Sequence, residues 1–107
     1  MRKKIVAGNW KMNTTVPEGV ELAKAVLAKS AEVPANVGLI VAVPFTHIVP
    51  IAEVLKGSKI GLSAENCADK EKGAYTGEVS VNMLVSAGCQ YTILGHSERR
   101  QYYGETD

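Results

Sequence analysis

Polar side chains that could act on an anionic substrate stand where two apolar runs of the sequence end. Asn9 and Lys11 follow the first run, and His96 and Glu98 follow the last. A lysine at the end of a strand is either a solvent-exposed flank or a fixed positive charge that stabilises a negatively charged substrate or transition state. The ordinary role of Asn9 would be to cap the turn that ends the strand.

His96 stands just before a short predicted helix that begins near Ser97. The positive end of the helix dipole disfavours protonation of an imidazole placed there. A neutral ring could donate an N–H to a substrate oxygen, although a histidine satisfied by neighbouring backbone is the alternative. Glu98 would fit the same helix terminus as a favourable carboxylate. His47 has no comparable setting, and we expect an ordinary residue in the first turn of the second helix.

The elements that must position these residues alternate along the chain. Four runs rich in β-branched residues are nearly continuous in apolar character, which is typical of strands covered on both faces; they are Lys4–Asn9, Val37–Val43, Lys59–Ala64 and Tyr91–Leu94. Helical patterns separate them at Pro17–Ala31, Thr46–Lys56 and Ser80–Ala87. This alternation predicts parallel βαβ units.

Periodicity alone does not separate an open doubly wound sheet from part of a closed barrel. No Gly-x-Gly-x-x-Gly follows the first strand, where a dinucleotide-binding fold would have it. Polar residues cluster where strands end, including Glu65 and Asn66 after the third run. In a (β/α)₈ barrel such positions line the active-site mouth. We therefore expect an α/β fold in which residues 1–107 form one domain, the first half of a parallel (β/α) barrel with about four strands.

Composition excludes several classes of partner. The net charge of +1 gives no footprint for nucleic acid or for a membrane surface. No apolar segment approaches the roughly 20 residues that span a bilayer, and no signal peptide is recognised. The two cysteines are too few for a disulfide framework or a metal site, so we expect reduced thiols, a cytoplasmic location, no metal and no cofactor.

Three motifs carry a family resemblance. They are Ala7-Gly8-Asn9-Trp10-Lys11-Met12-Asn13, then Ala64-Glu65-Asn66 with Gly73-Ala74-Tyr75-Thr76-Gly77-Glu78, and finally Tyr91 to Arg100 continuing through Gly104-Glu105-Thr106-Asp107. In this order and spacing the chain resembles the triosephosphate isomerase family over all 107 residues. The resemblance implies a TIM barrel and the interconversion of dihydroxyacetone phosphate and glyceraldehyde 3-phosphate through an enediolate, in glycolysis and gluconeogenesis, without a cofactor.

The resemblance also assigns roles to single residues. Lys11 would face the substrate phosphate and the developing enediolate oxygen, and Asn9 would help to orient substrate and lysine. His96 would be the electrophile; triosephosphate isomerase is itself the standard example of a neutral histidine in this role, so the family supplies that assignment. Glu98 would support Lys11 rather than act as the base. Arg99, Arg100, Glu105 and Asp107 are expected to form structural ion pairs.

The segment from Asn66 to Glu78, here called the third loop, is long, polar and rich in glycine. Loops of this length are usually functional or disordered. In the resembling family it projects into a neighbouring subunit, which implies a homodimer with Asn13 and Thr76 near the interface. Disorder of the loop tip is the competing interpretation.

None of the 107 residues matches the glutamate that serves the family as base, so we expect this chain alone to be inactive. Three hypotheses follow. The first, which we favour, is the N-terminal portion of an isomerase. The second is a half-barrel that self-associates through its open edges, two copies closing one eight-stranded barrel without isomerase activity. The third is a different sugar-phosphate barrel enzyme that shares this first half.

Overall fold

The computed structural model describes residues 4–106, and over this range strands and helices alternate as expected. The strands are β1 (Lys4–Asn9), β2 (Val37–Val43), β3 (Ile60–Ala64) and β4 (Tyr91–Thr92). The helices are α1 (Val16–Lys29), α2 (Ile48–Leu55), α3 (Val81–Ala87) and α4 (Ser97–Tyr103), with short 3₁₀ turns at Ser30–Glu32 and Phe45–His47.

The four strands of the described range form one parallel sheet in the order β1-β2-β3-β4. Lys4 lies opposite Val37, Leu39 opposite Ile60, and Ser63 opposite Tyr91. Because each strand pairs with the next one along the chain, and a helix connects each pair, the carboxyl ends of all four strands meet at one edge. This is the arrangement of the first half of a (β/α)₈ barrel, and it confirms the predicted fold class.

The hydrophobic core lies between the middle strands and the helices that cover them. Val43, Ile48 and Ile51 are the largest side chains that are fully buried, and Leu84 of α3 joins the same cluster. All five residues of β3 are buried. The packed middle of the sheet thus lies between the two edge strands, β1 and β4, which the predicted site residues follow.

The expectation that every strand is covered on both faces is wrong for β1. The side chains of Ile5 and Val6 point to opposite faces, yet each is more than half exposed, at 58% and 59%. The reason is position, because β1 lies at the edge of the sheet and pairs only with β2 among the described strands.

The helix ends follow their local signals. Ser80 accepts a hydrogen bond from the backbone N–H of Met83 at 3.2 Å, and Gly88 ends α3 with φ of +112°. Strand β4 is shorter than predicted, ending at Thr92, although the N–H of Ile93 still donates to Ala64 at 3.0 Å. None of the described helices combines the length and apolar character needed to cross a bilayer.

Candidate active site

An open cleft of about 630 Å³ lies at the carboxyl ends of the strands. Five of the six residues predicted for the site line it: Asn9, Lys11, Asn13, His96 and Glu98. They come from opposite ends of the chain and meet because β1 and β4 end at the same edge of the sheet. Thr76 is exposed in the third loop and is not part of this lining.

The turn after β1 places Lys11. Its backbone has φ of +58°, a left-handed conformation that is uncommon for a residue with a side chain. Asn9 Oδ1 accepts a hydrogen bond from the backbone N–H of Lys11 at 3.0 Å, and the N–H of Trp10 donates to Ala42 of β2 at 2.9 Å. Asn9 therefore caps the turn, as its residue type suggests, and through that bond it fixes the backbone from which the lysine projects.

The ammonium of Lys11 donates to Glu98 Oε1 at 2.7 Å. The hydrogen bond and the negative charge of Glu98 raise the pKa of Lys11, and the hydrogen bond from Lys11 lowers the pKa of Glu98. Both side chains remain about half exposed, at 50% and 42%. The pairing thus keeps the ammonium of Lys11 protonated and in place at the cleft without removing it from solvent.

His96 is the N-cap of α4, and its ring orientation is set there. Ring atom Nδ1 accepts a hydrogen bond from the backbone N–H of Glu98 at 3.0 Å. A nitrogen that accepts carries no proton, so in the neutral ring the proton lies on Nε2. The 3.7 Å separation between Nδ1 and Glu98 Oε2 is then no ion pair. The arrangement leaves Nε2–H as a donor for a substrate oxygen.

The two arginines of α4 make contacts that hold the helix against the residues before and after it. Arg99 Nε donates to Glu105 Oε2 at 2.8 Å, and its guanidinium lies 5.0 Å from the centre of the Tyr103 ring. Arg100 Nε donates to the carbonyl of Gly95 at 2.8 Å. The contact between Arg99 and Glu105 confirms the structural ion pair expected for these two residues. The contact of Arg100 with Gly95 is to a backbone carbonyl, and Asp107 lies outside the described residues.

Glu65, which directly follows β3 and belongs to the second motif, lines the cleft although the sequence assigned it no role. Its Oε2 atom is buried and has no hydrogen-bond partner. Burial raises the pKa of this carboxyl to about 7. The backbone N–H of Lys11 faces it and lowers the pKa in part, but that N–H already donates to Asn9. The sequence places a glutamate at the end of a strand, within the second motif. The burial that removes its carboxyl from water depends on tertiary packing, which the sequence does not reveal.

His47 is also more than the ordinary first-turn residue expected. It is 2% exposed and lies in the 3₁₀ turn that leads into α2. Its ring nitrogens make hydrogen bonds to the hydroxyls of Thr14 at 2.9 Å and Thr46 at 2.8 Å. The sequence around His47 gives no sign of these contacts, because Thr14 lies 33 positions away.

The two residues predicted for a subunit interface are both exposed. Asn13 Nδ2 donates to the carbonyl of Trp10 at 2.7 Å, which folds the end of the β1 turn back on itself. Thr76 lies in the third loop, whose base is closed by a hydrogen bond from the backbone N–H of Ala68 to the carbonyl of Val79 at 2.8 Å. Next to Thr76, the N–H of Glu78 donates to the carbonyl of Tyr75 at 2.9 Å and closes a local turn. Their role at an interface stays a prediction.

Between residues 4 and 106, no three His, Cys, Asp or Glu side chains come close enough together to hold a metal ion. Cys67 is partly buried and Cys89 buried, and both are free thiols. What the cleft offers chemically is therefore a fixed cation, a neutral imidazole donor and a partly desolvated carboxyl.

Comparison with known proteins identifies the family. The family model described as triosephosphate isomerase matches residues 4–107. Proteins named triosephosphate isomerase are similar to this chain in Bacteroides fragilis (57% identical over 106 residues) and Porphyromonas gingivalis (56% over 106), each covering 99% of the chain. The one from Prosthecochloris aestuarii is 51% identical over 107 residues and covers the whole chain. The chain spans 42% of the length of each of these curated relatives. This match over nearly the whole chain, together with the parallel half-barrel, means that the chain belongs to the triosephosphate isomerase family.

Proposed function

We propose that this chain supplies the electrophilic part of a triosephosphate isomerase site, for the interconversion of dihydroxyacetone phosphate and glyceraldehyde 3-phosphate in glycolysis and gluconeogenesis. The observation that carries the proposal is the convergence of Lys11 and His96 on Glu98. Glu98 pairs with the ammonium through a carboxylate oxygen and donates its backbone N–H to the imidazole. One residue thereby orients both groups that would face the substrate.

The roles follow from the chemistry of the two groups. When a proton leaves the carbon next to the substrate carbonyl, negative charge develops on the carbonyl oxygen. The Nε2–H of His96 donates to that oxygen, and the Lys11 ammonium stabilises both the enediolate and the phosphate. Because the charge grows toward the transition state, these interactions strengthen there and lower the barrier. Asn9 holds the lysine backbone, and Glu98 is a positioning residue rather than the base.

The base itself has no counterpart among the 107 residues, so the chain alone should show no isomerase turnover. A chimera with the missing part of the barrel tests the roles assigned to Lys11 and His96. It joins residues 1–107 to the part of the Bacteroides fragilis relative that follows the matched region. We expect the chimera to be active, and we expect Lys11→Met and His96→Gln each to lower kcat/KM by roughly 10²- to 10³-fold, the usual loss for one donor to a developing oxyanion.

Lys24→Met is the matched control for Lys11→Met. Lys24 is an exposed lysine of α1 whose ammonium lies 3.5 Å from Glu21, so its loss should leave kcat/KM unchanged. A folded chimera without activity, or equal rates for Lys11→Met and Lys24→Met, would refute the assignment. Turnover near the chimera's rate by the 107-residue chain, in a sample verified by mass spectrometry, would refute its inactivity.

A homodimeric, cytoplasmic parent enzyme is the second part of the proposal, with Asn13 and Thr76 at the subunit interface. The exposure of both residues at the cleft rim and in the third loop supports it. Thr76→Arg in the chimera should convert the dimer to a monomer in sedimentation velocity. Lys72→Arg is the control, at another exposed position of the third loop that belongs to none of the three motifs, and it should leave the dimer intact.

A self-associating half-barrel is the second candidate, and a specific observation favours it. The accessible surface is 7678 Å². A folded monomer of 11.4 kDa is expected to expose about 5,800 Å². The excess of about 1,900 Å² exceeds the roughly 800 Å² that each partner buries in a standard interface. Large apolar side chains are exposed on or next to both edge strands, on Ile5, Val6, Tyr91 and Leu94. A second copy, closing eight strands, is the occupant that fits.

A further inference from the structure

We propose that His47 is a positioning residue for Lys11, and that it acts by holding the loop that connects β1 to α1. The inference rests on the proposed role of Lys11 in catalysis. It concerns residues 10–15, here called the β1–α1 loop, and the buried imidazole beneath them.

The β1–α1 loop contains two non-glycine residues with positive φ, Lys11 at +58° and Thr14 at +71°. L-residues adopt this conformation only where the surroundings hold them in it, and a β-branched threonine does so least readily. Without external contacts the loop would relax toward ordinary dihedrals. The side chain of Lys11 would then leave its place beside Glu98.

The imidazole of His47 supplies such contacts. The hydroxyl of Thr14 donates its proton to the carbonyl of Asn13, so its oxygen is free to accept from His47 Nε2, which lies 2.9 Å away. The other ring nitrogen, Nδ1, then accepts from the hydroxyl of Thr46 at 2.8 Å. One tautomer thus satisfies both ring nitrogens.

The ring also holds the start of the loop. The edge of the Trp10 indole meets the His47 ring at 81°, with the ring centres 6.5 Å apart. Trp10 precedes Lys11 and Thr14 follows it three residues later. His47 therefore contacts the loop on both sides of the lysine, from a position that is 2% exposed and fixed at the start of α2.

Helix α1 makes room for this ring. Gly19 is buried inside α1, where glycine is a poor helix former. A Cβ at Gly19 would lie 2.3 Å from His47 Cδ2 and 2.9 Å from Nε2, well inside contact distance. The absence of a side chain at Gly19 allows the imidazole to reach Thr14. The β1–α1 loop, helix α1 and the turn before α2 therefore all contribute to the position of this ring.

The test uses the active chimera and compares paired substitutions. Thr14→Val removes the hydroxyl that His47 contacts, whereas Thr14→Ser keeps it. His47→Leu removes both ring nitrogens, whereas His47→Gln can still donate to Thr14. Displacing a catalytic group by about 1 Å can cost as much as 10²-fold in rate, so we expect roughly 10- to 100-fold lower kcat/KM for Thr14→Val and His47→Leu. Kcat should fall and KM should rise together, since Lys11 contributes to both chemistry and binding.

Three readouts separate positioning from a merely structural role. Thr14→Ser and His47→Gln should recover most of the activity. The double variant Thr14→Val/His47→Leu should lose no more than His47→Leu alone, because the contact that Thr14→Val breaks is one of those that His47→Leu removes. Ile51→Ala, which removes a fully buried side chain of α2, should lower Tm while leaving KM unchanged.

Failure of this proposal is distinguishable from failure of the proposed function. An inactive folded chimera refutes the function. An active chimera in which Thr14→Val equals Thr14→Ser, or in which the two losses add fully, overturns the role of His47. If His47→Leu does not fold, the Thr14 pair decides the question, because Thr14 is exposed and its substitution leaves the core intact.

Discussion

Replacing Glu65 with glutamine should stabilise the chain at neutral pH and not at acidic pH. In the folded state burial raises the pKa of this carboxyl to about 7, against 4.5 for an ordinary glutamate, and one of its oxygens is buried without a partner. Below pH 4.5 the carboxyl is protonated in both folded and unfolded chains. As the pH rises toward 7, the unfolded chain releases the proton first, so the contribution of Glu65 to stability is progressively lost.

The magnitude follows from the difference between the two pKa values. Each unit is worth about 1.4 kcal/mol, so a difference of about 2.5 units sets an upper limit of about 3.4 kcal/mol. Glu65 is only partly buried and solvent screens its charge, which reduces the expected effect to about 1–2 kcal/mol. Glutamine has nearly the same shape and no charge to desolvate. Its advantage over glutamate should therefore grow from near zero at pH 4.5 to that value at pH 8.

Urea denaturation from pH 4.5 to 8 measures this difference. The free energy of unfolding of Glu65→Gln minus that of the unchanged chain isolates Glu65, since all other titrating groups are common to both. Glu71→Gln, in the exposed part of the third loop, is the control and should give a flat difference. A flat difference for Glu65→Gln as well, or a variant that loses stability above pH 7, would refute the reasoning.

Three further predictions concern packing, thiol reactivity and association. Gly19→Ala should destabilise the chain in urea denaturation by up to about 2 kcal/mol, because an overpacking cost against His47 of about 1–3 kcal/mol outweighs the gain of about 1 kcal/mol in helix propensity. A higher midpoint would contradict this prediction. Cys67 should react with a thiol reagent well before Cys89, because Cys89 is buried and burial raises the pKa of its thiol; equal rates in the native chain would count against the core packing. Ile5→Lys should abolish the concentration-dependent association of the 107-residue chain in sedimentation velocity, because a charge on an exposed edge strand opposes pairing. If the unchanged 107-residue chain is already monomeric at high concentration, the self-association proposal is refuted.

The parallel half-barrel was predictable from the sequence because its signals are local. Apolar runs gave β1 and β2 with their observed limits, and Ser80 and Gly88 marked the ends of α3 through side-chain and backbone properties that need no tertiary contact. The grouping of Asn9, Lys11, His96 and Glu98 followed from topology, since parallel strands end at one edge.

What was missed depends on packing between distant segments. His47 is buried because Gly19 leaves space and Thr14 supplies a partner, and neither is adjacent to it in sequence. The raised pKa of Glu65 likewise arises from burial that cannot be inferred from its neighbours in the sequence. The apolar composition of β1 predicted that both of its faces would be buried, yet β1 is largely exposed. Apolar side chains show that a strand can be buried, but they do not show which elements pack against it.

The closed base of the third loop has a consequence for how this half-barrel can be altered. The bond from Ala68 to Val79 joins the two ends of the loop before the chain enters α3. Because the positions from Asp69 to Gly73 are all exposed and none of them lines the cleft, residues can be inserted or exchanged there without shifting the register of β3. This part of the loop is thus a separable module, and a fluorophore or an affinity tag placed there would monitor folding of the half-barrel without altering the cleft or Thr76.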